Sequence, residues 1–290
     1  MNSKTQYQPS EYWEKRLSRQ FSLAGVGHLG FNLRYNIWLY KARLYTLRNI
    51  LRKRDINFQK MKILDIGVGT GFYINFWEKL GVNDITGIDI TTKSVKELTK
   101  KYPKYKFIKA NISDKKIPLN EKFDIITAFD VLFHIVKNDD FEQAINNIKK
   151  LSHKNAMILI TDNFLHEHKS ARGHEYDRTL RYYKKVLSYN SMRIEGIKPI
   201  FYFMNTPIDI ERISNKLIRI IIKQMWRMTG IITSYSRKLN GFGEAIIHLW
   251  VIILYCADRI ILKYTSVGPS TKLLIANFNP KNKNLSINKK

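Results

Sequence analysis

The sequence predicts an α/β fold built on a parallel sheet with helices on both faces. Three observations carry this. From Met61 onward, short apolar runs alternate with helical stretches of about 10–15 residues. The first run ends on an acid and is followed by three alternating glycines and then a helical pattern. The 290 residues are 44 % apolar and 12 % aromatic, enough to bury a sizeable core and inconsistent with a disordered chain.

The first sixty residues read as helical. Ser10 is an N-cap candidate for EYWEKRLSRQF, and a second helix is expected from Asn32 to Asp55 on the stripe Leu33, Ile37, Tyr40, Leu44, Leu47 and Leu51. Between them GVGHLG matches G-x-G-x-x-G at Gly25, Gly27 and Gly30. No strand precedes it, so a flexible loop is expected rather than a nucleotide site. The strand candidates that follow are KILDI (62–66), DITGIDI (84–90), KFIKA (106–110), FDIITAF (123–129) and MILITD (157–162). The helices between them are FYINFWEKL, TKSVKELTKKY and DDFEQAINNIKKL. Right-handed crossovers should connect the strands. Beyond Asp162 come a His-rich stretch, a helix near Glu175–Tyr189, an apolar run over 192–203, about sixty helical residues and a last strand, KLLIANF (272–278). The polar tail 280–290 is expected to be disordered.

The chemistry concentrates in ILDIGVGTGFY. Asp65 ends the first strand, and Gly67, Gly69 and Gly71 lead into a helix N-terminus suited to a carboxylate or phosphate. Asp89 ends the second strand, where an acid accepts both hydroxyls of a ribose. An adenosine-containing ligand fits both features. A dinucleotide fingerprint would need glycine at position 72, which is Phe72.

The pattern D-x-G-x-G-x-G resembles motif I of the class I S-adenosylmethionine-dependent methyltransferases. Asp89, followed by Ile90, is similar to the family's ribose-binding acid. Asn111 and Ile112 are similar to its adenine-binding pair, with Asn111 where the family commonly has Asp. FDIITAFDVLFHI carries Asp130 and His134 in a D-x-L-x-H form frequent among small-molecule methyltransferases. The resemblance implies S-adenosyl-L-methionine as cofactor and a Rossmann-like, mostly parallel seven-stranded sheet with an antiparallel last strand. It also implies N-terminal helices over 1–60, a cofactor-binding α/β domain over 61–203, a helical insertion over 204–270 between strands six and seven, and the final strand within 271–279.

His134 follows the fourth strand where the transferred methyl should lie, so it is the first candidate for a general base, with His166 second. The alternative for His134 is a packing role. His166, His168 and His174 lack a well-defined zinc spacing, and no metal is expected.

Charge is uneven. Residues 1–60 carry a net +9, residues 61–165 +3 and residues 166–290 +14, for +26 overall. Basic flanks attract phosphate, nucleic acid or an anionic membrane, or form a solvated surface. Arg212, Lys216, Arg219, Lys223 and Arg227 form a cationic stripe, read either as a membrane-surface helix or as the solvated face of a packed one. AIIHLWVIILYCA would span about 20 Å, too short to cross a bilayer.

The expected activity is methyl transfer to a small-molecule, glycan or lipid acceptor, chiefly at oxygen. RNA methylation is an alternative favoured by the basic flanks but lacking the N/D-P-P-Y/F/W signature. A non-catalytic cofactor-binding protein is the third reading. Cys256 alone excludes an internal disulfide framework. With the polar N-terminus it suggests a cytoplasmic protein, peripheral at the inner membrane surface if the stripe meets lipid.

Overall fold

The structure, a computed structural model, describes residues 7–167, 174–236 and 240–279. Its core is a seven-stranded sheet in the order β3-β2-β1-β4-β5-β7-β6. The strands are β1 (Lys62–Ile66), β2 (Asp84–Asp89), β3 (Lys106–Lys109), β4 (Phe123–Phe129), β5 (Ser152–Asp162), β6 (Met192–Pro199) and β7 (Lys272–Phe278). Strands β1 to β5 pair in parallel, and the last strand runs antiparallel. The apolar runs at the centre are buried along nearly their whole length, as strands covered on both faces must be. The order reverses direction between β1 and β4, and the carboxyl ends of such strands form the crevice where ligands bind in open α/β sheets.

Contacts divide the chain into two compact units. One comprises residues 1–18, 57–196 and 274–290, and the other residues 19–56 and 197–273. The expected cap over 1–60 and insertion over 204–270 are therefore apportioned differently, with 19–56 grouping with 197–273.

In the first unit, α1 (Pro9–Arg19), α4 (Phe72–Lys79), α5 (Thr92–Lys101), α6 (Asn138–Leu151) and α7 (Leu180–Tyr189) accompany the sheet. Pro9 starts α1, so Ser10 lies inside its first turn and is not the N-cap. Strand β5 begins at Ser152, ahead of the expected Met157. Its pairing jumps from Phe123↔Ser152 to Ile125↔Met157, which leaves a polar, exposed bulge with Asn155 at φ 65°. Helix α7 starts at Leu180 because residues 175–179 run extended. The Tyr176 amide donates to the Phe133 carbonyl, and the Thr179 hydroxyl then caps the Tyr182 amide.

The second unit holds α2 (Leu23–Val26), α3 (Leu33–Leu51), α8 (Lys216–Ser236) and α9 (Asn240–Ile261). In the glycine-rich GVGHLG, expected as a flexible loop, Gly25 and Val26 end α2, and residues 27–30 form a hydrogen-bonded turn into α3. The fully buried Asn36 side chain accepts from the His28 amide at 2.8 Å and donates to the carbonyls of His28, Phe31 and Asn32. A Cβ on Gly27 would stand 2.1 Å from the Asn36 Oδ1, so only glycine fits there. Asp258, fully buried on α9, accepts from the Tyr202 and Phe203 amides at 3.0 and 2.7 Å and holds the strand exit against the helix. Replacing it with alanine strands two buried donors. Asp258→Ala should destabilise this unit by about 2–4 kcal/mol, read as a lowered midpoint in urea, whereas Asp258→Asn should recover part of the loss.

Candidate functional site

The site is built at the carboxyl ends of β1, β2 and β4. Gly67, Gly69 and Gly71 all take positive φ, at 71°, 51° and 77°, which folds the chain sharply between β1 and α4. A Cβ on Gly67 would meet Val131 at 2.4 Å, and one on Gly71 would meet Leu98 at 2.5 Å. The loop is tied to β2 by amides of Gly67 and Val68 donating to the Ile88 carbonyl. It is tied more strongly by Asp89. One carboxylate oxygen accepts the Gly69 amide at 2.9 Å, and the other accepts the Thr91 amide at 2.9 Å and its hydroxyl at 2.7 Å. Asp65 is buried beside the loop and accepts the Thr127 hydroxyl at 2.6 Å.

Burial raises the pKa of both acids. Asp65 is pushed up to about 7, the rise opposed by the Thr127 hydroxyl and aided by the neighbouring Asp89 charge. Asp89 is raised by burial against the hydrogen bonds from Thr91 and Gly69, with Glu14 adding repulsion. Asp65 is thus only partly ionised near pH 7, and a cationic ligand beside it would favour its charged form. S-adenosylmethionine carries an ammonium and a sulfonium, so these residues fit it: Asp65 and the glycine loop at its amino-acid end, Asp89 at its ribose.

Of the other expected cofactor residues, Ile90 follows Asp89 directly and is half-buried. The half-buried Asn111 turns its side chain onto the Ser113 amide. Ile112 is buried, and its carbonyl accepts from Asn147. Asp130 sits at φ 59°, a left-handed conformation rare for a side-chain-bearing residue. It is held there by Thr161, whose hydroxyl accepts from the Asp130 amide at 2.7 Å and donates to its carboxylate at 2.8 Å.

His134 closes a 3-10 turn just past β4. Its Nδ1 lies 3.0 Å from the His174 carbonyl, which can only accept, so Nδ1 carries the proton and Nε2 is left as the acceptor. Its ring stacks on His174 at 5.3 Å and meets the edge of Trp13 at 4.9 Å. Burial lowers its pKa to about 3, with the neighbouring His174 and Arg16 contributing to the fall. His134 is therefore a neutral imidazole. The α1 aromatics that cover the ring reduce its basicity below that of a base matched to neutral pH. His166 is exposed, and His168 lies outside the described residues. Among the described residues His134, His174 and Glu175 bring ligand-type atoms within 4.8 Å of one another. The near-parallel stacking of the two rings and the Arg16 charge that lowers both histidines suit them poorly to a cation.

Sequence reasoning read α1 as a helix but missed its place beside the site. Glu14 accepts from the Thr92 and Lys93 amides at 2.6 and 3.1 Å, so it caps α5 beside Asp89. Tyr12 stacks on His174 at 4.6 Å. The only signal was an aromatic–acid–basic run, YWEKR, which gives no hint of its distant partners. A histidine with a depressed native pKa stays neutral in the folded chain while the unfolded chain takes up a proton below about pH 6.5. The stability it carries is complete above that pH and is lost as pH falls from about 6.5 toward 3. Chemical denaturation of wild type and His134→Gln across pH 4–8 should show the wild-type advantage shrinking on acidification. A pH-independent difference would contradict the buried neutral ring.

A family profile described as a methyltransferase domain matches residues 64–160, which is the stretch from β1 through β5. No curated protein sequence matches the chain. Among solved structures, the O-methyltransferase from a trans-AT PKS multienzyme of Brevibacillus brevis, in complex with S-adenosyl-L-homocysteine, aligns with a TM-score of 0.51 at 16% identity. That alignment covers 85% of this chain and 80% of the other. The magnesium protoporphyrin IX methyltransferase of Synechocystis, with bound S-adenosylmethionine, aligns at 0.50 and 17% identity over 67% of this chain and 91% of that one. At such identities the likeness speaks for the fold, while the family profile and the glycine–acid geometry speak for the cofactor. Residues 64–160 thus form a methyltransferase domain, and the glycine–acid geometry beside it supports S-adenosylmethionine as its cofactor.

Proposed function

We propose that the chain methylates an oxygen of a small-molecule, glycan or lipid acceptor, and that this oxygen is acidic in its own right, a carboxylate or a readily ionised hydroxyl. The observation that carries this reading is the neutral, half-buried His134 with Arg16 close enough to lower the pKa of both His134 and His174. An imidazole with a pKa near 3 is a weak base for an alcohol, whose proton must leave as the methyl arrives. It remains a sound hydrogen-bond acceptor at Nε2 and can orient a hydroxyl. An acceptor that arrives ionised needs no such base, and the Arg16 charge attracts it.

When bound, the cofactor supplies an activated methyl on a good leaving group. The chain's work is alignment and exclusion of water. Asp65 and Asp89 fix the donor end. Thr161 pins the backbone at Asp130, just past β4. Trp13 and Tyr12 cover the two histidines. The RNA reading rests on net charge alone.

Two measurements test this. Cofactor binding followed by calorimetry in buffers of different ionisation enthalpy should show proton release near pH 7, because a bound cation lowers the Asp65 pKa from about 7. The release should fade above about pH 8.5, and Asp65→Asn should abolish it. Asp89→Ala should weaken binding by about 1–3 kcal/mol. Separately, Arg16→Gln should raise KM for a carboxylate or acidic hydroxyl acceptor about tenfold, the cost of one favourable charge at short range, while leaving cofactor affinity intact. An acceptor found to be neutral, with KM unmoved in Arg16→Gln, would sink the acidic-acceptor reading.

A further inference from the structure

Helix α8 is amphipathic in the reverse sense. Its buried side carries Ile222 and then three hydroxyls, Thr229, Thr233 and Ser236. Each hydroxyl is satisfied within the helix, donating to the carbonyls of Met225, Thr229 and Thr233 respectively. Thr229 also accepts from the Trp250 indole on α9 at 3.0 Å. Small, internally satisfied side chains let α9 approach closely at no cost in stranded polar groups.

Ile218, Met225, Trp226 and Ile232 are half-buried beside them, but six other large apolar side chains are left outside. Leu217 is 65% exposed, Ile220 55%, Ile231 48% and Tyr235 62%. At about 100° per residue these, with Ile221 and Met228, fill an arc of about 100° on the face away from the buried side. Directly beside that arc run Lys216, Arg219, Lys223 and Arg227, and α8 contains no acid. Helix α9 buries Ile247, Val251 and Leu254, yet it also exposes Ile246, Leu249, Ile253, Cys256 and Ile260 along one uncharged line. A soluble helix that exposes its apolar stripe and buries its hydroxyls is explained only by something that covers the stripe.

We propose that the exposed faces of α8 and α9 seat on an anionic lipid bilayer, apolar side chains entering the headgroup–acyl boundary and the cationic row meeting the headgroups. Charge complementarity selects this occupant. A second copy would bring an identical cationic row and another +26 to the contact, whereas anionic headgroups neutralise it. Among the described residues no helix is long and apolar enough to cross a membrane, so the contact is peripheral. The surface is independent of which acceptor the active site takes.

The full-length chain, labelled at its single cysteine Cys256 with a polarity-sensitive dye, tests this on vesicles of phosphatidylcholine with and without phosphatidylglycerol. The dye should shift to the blue, and the protein should float, with the anionic vesicles. Arg219→Gln/Lys223→Gln/Arg227→Gln should lower partitioning about a hundredfold, since each basic residue at an anionic surface contributes roughly fivefold. Leu217→Asn/Ile231→Asn should weaken flotation and abolish the blue shift without altering cofactor affinity or the melting temperature. The proposal is overturned if the anionic vesicles are not bound. It is equally overturned if removing three exposed lysines elsewhere, Lys96, Lys100 and Lys101, weakens binding as much as removing the stripe. A stable dimer in light scattering, dissociated by Leu217→Asn/Ile231→Asn, would assign the face to a second copy and also overturn it.

Discussion

One buried carboxylate organises the cofactor half of this molecule. Asp89 is almost wholly removed from water, and a carboxylate in that position must be given donors or be neutralised. Its donors come from two directions. The Gly69 amide belongs to the loop after β1, and the Thr91 amide and hydroxyl belong to the start of α5. Satisfying Asp89 therefore fixes the glycine loop, the end of β2 and the helix that follows in one arrangement. Thr91 then serves a second purpose, since its oxygen also accepts the Ser94 amide as the N-cap of α5. Glu14 covers the next two amides of the same helix end. A single desolvation requirement propagates outward until it reaches the N-terminal helix.

The features legible in the sequence are those whose cause is local. Strands β1, β2, β4 and β7 were visible because a strand buried on both faces reads as a continuous apolar run. The glycine loop was visible because positive φ at alternate positions demands glycine. Where the cause lies far along the chain, the sequence was silent. Tyr12 meets His174 across 162 residues, and Glu14 caps a helix 78 residues away. No periodicity or motif records such pairings. The same holds for His134. Its type and position were readable, but its protonation state is set by what covers it, and that cover is α1. The bulge that starts β5 early escaped notice because its exposed residues, His153, Lys154 and Asn155, are polar.

The second unit shows a related limit. The cationic stripe of α8 was legible, but which face the helix buries was not. An amphipathic pattern ordinarily turns its apolar side inward. Here Thr229 and Thr233 bond to their own helix carbonyls, which frees them to face α9 and turns the apolar side outward. The choice follows from packing distance. Small side chains permit a close helix pair.

The charges of the two ends of the active site are matched to unlike ligands. On the cofactor side, burial raises the Asp65 pKa to about 7, so the ligand-free site holds this acid only partly ionised near neutral pH, while the donors from Gly69 and Thr91 oppose the rise at Asp89. A cationic cofactor favours the charged form of Asp65 on binding, and part of its affinity is the relief of that acid's desolvation. Beside it, burial lowers the pKa of His134 to about 3 and also lowers that of His174, with Arg16 adding repulsion at both. Methyl transfer from a sulfonium to an ionised oxygen brings opposite charges together and cancels them. On the proposed reading, the interactions that assemble such a pair weaken as the methyl crosses, which favours release of the methylated product.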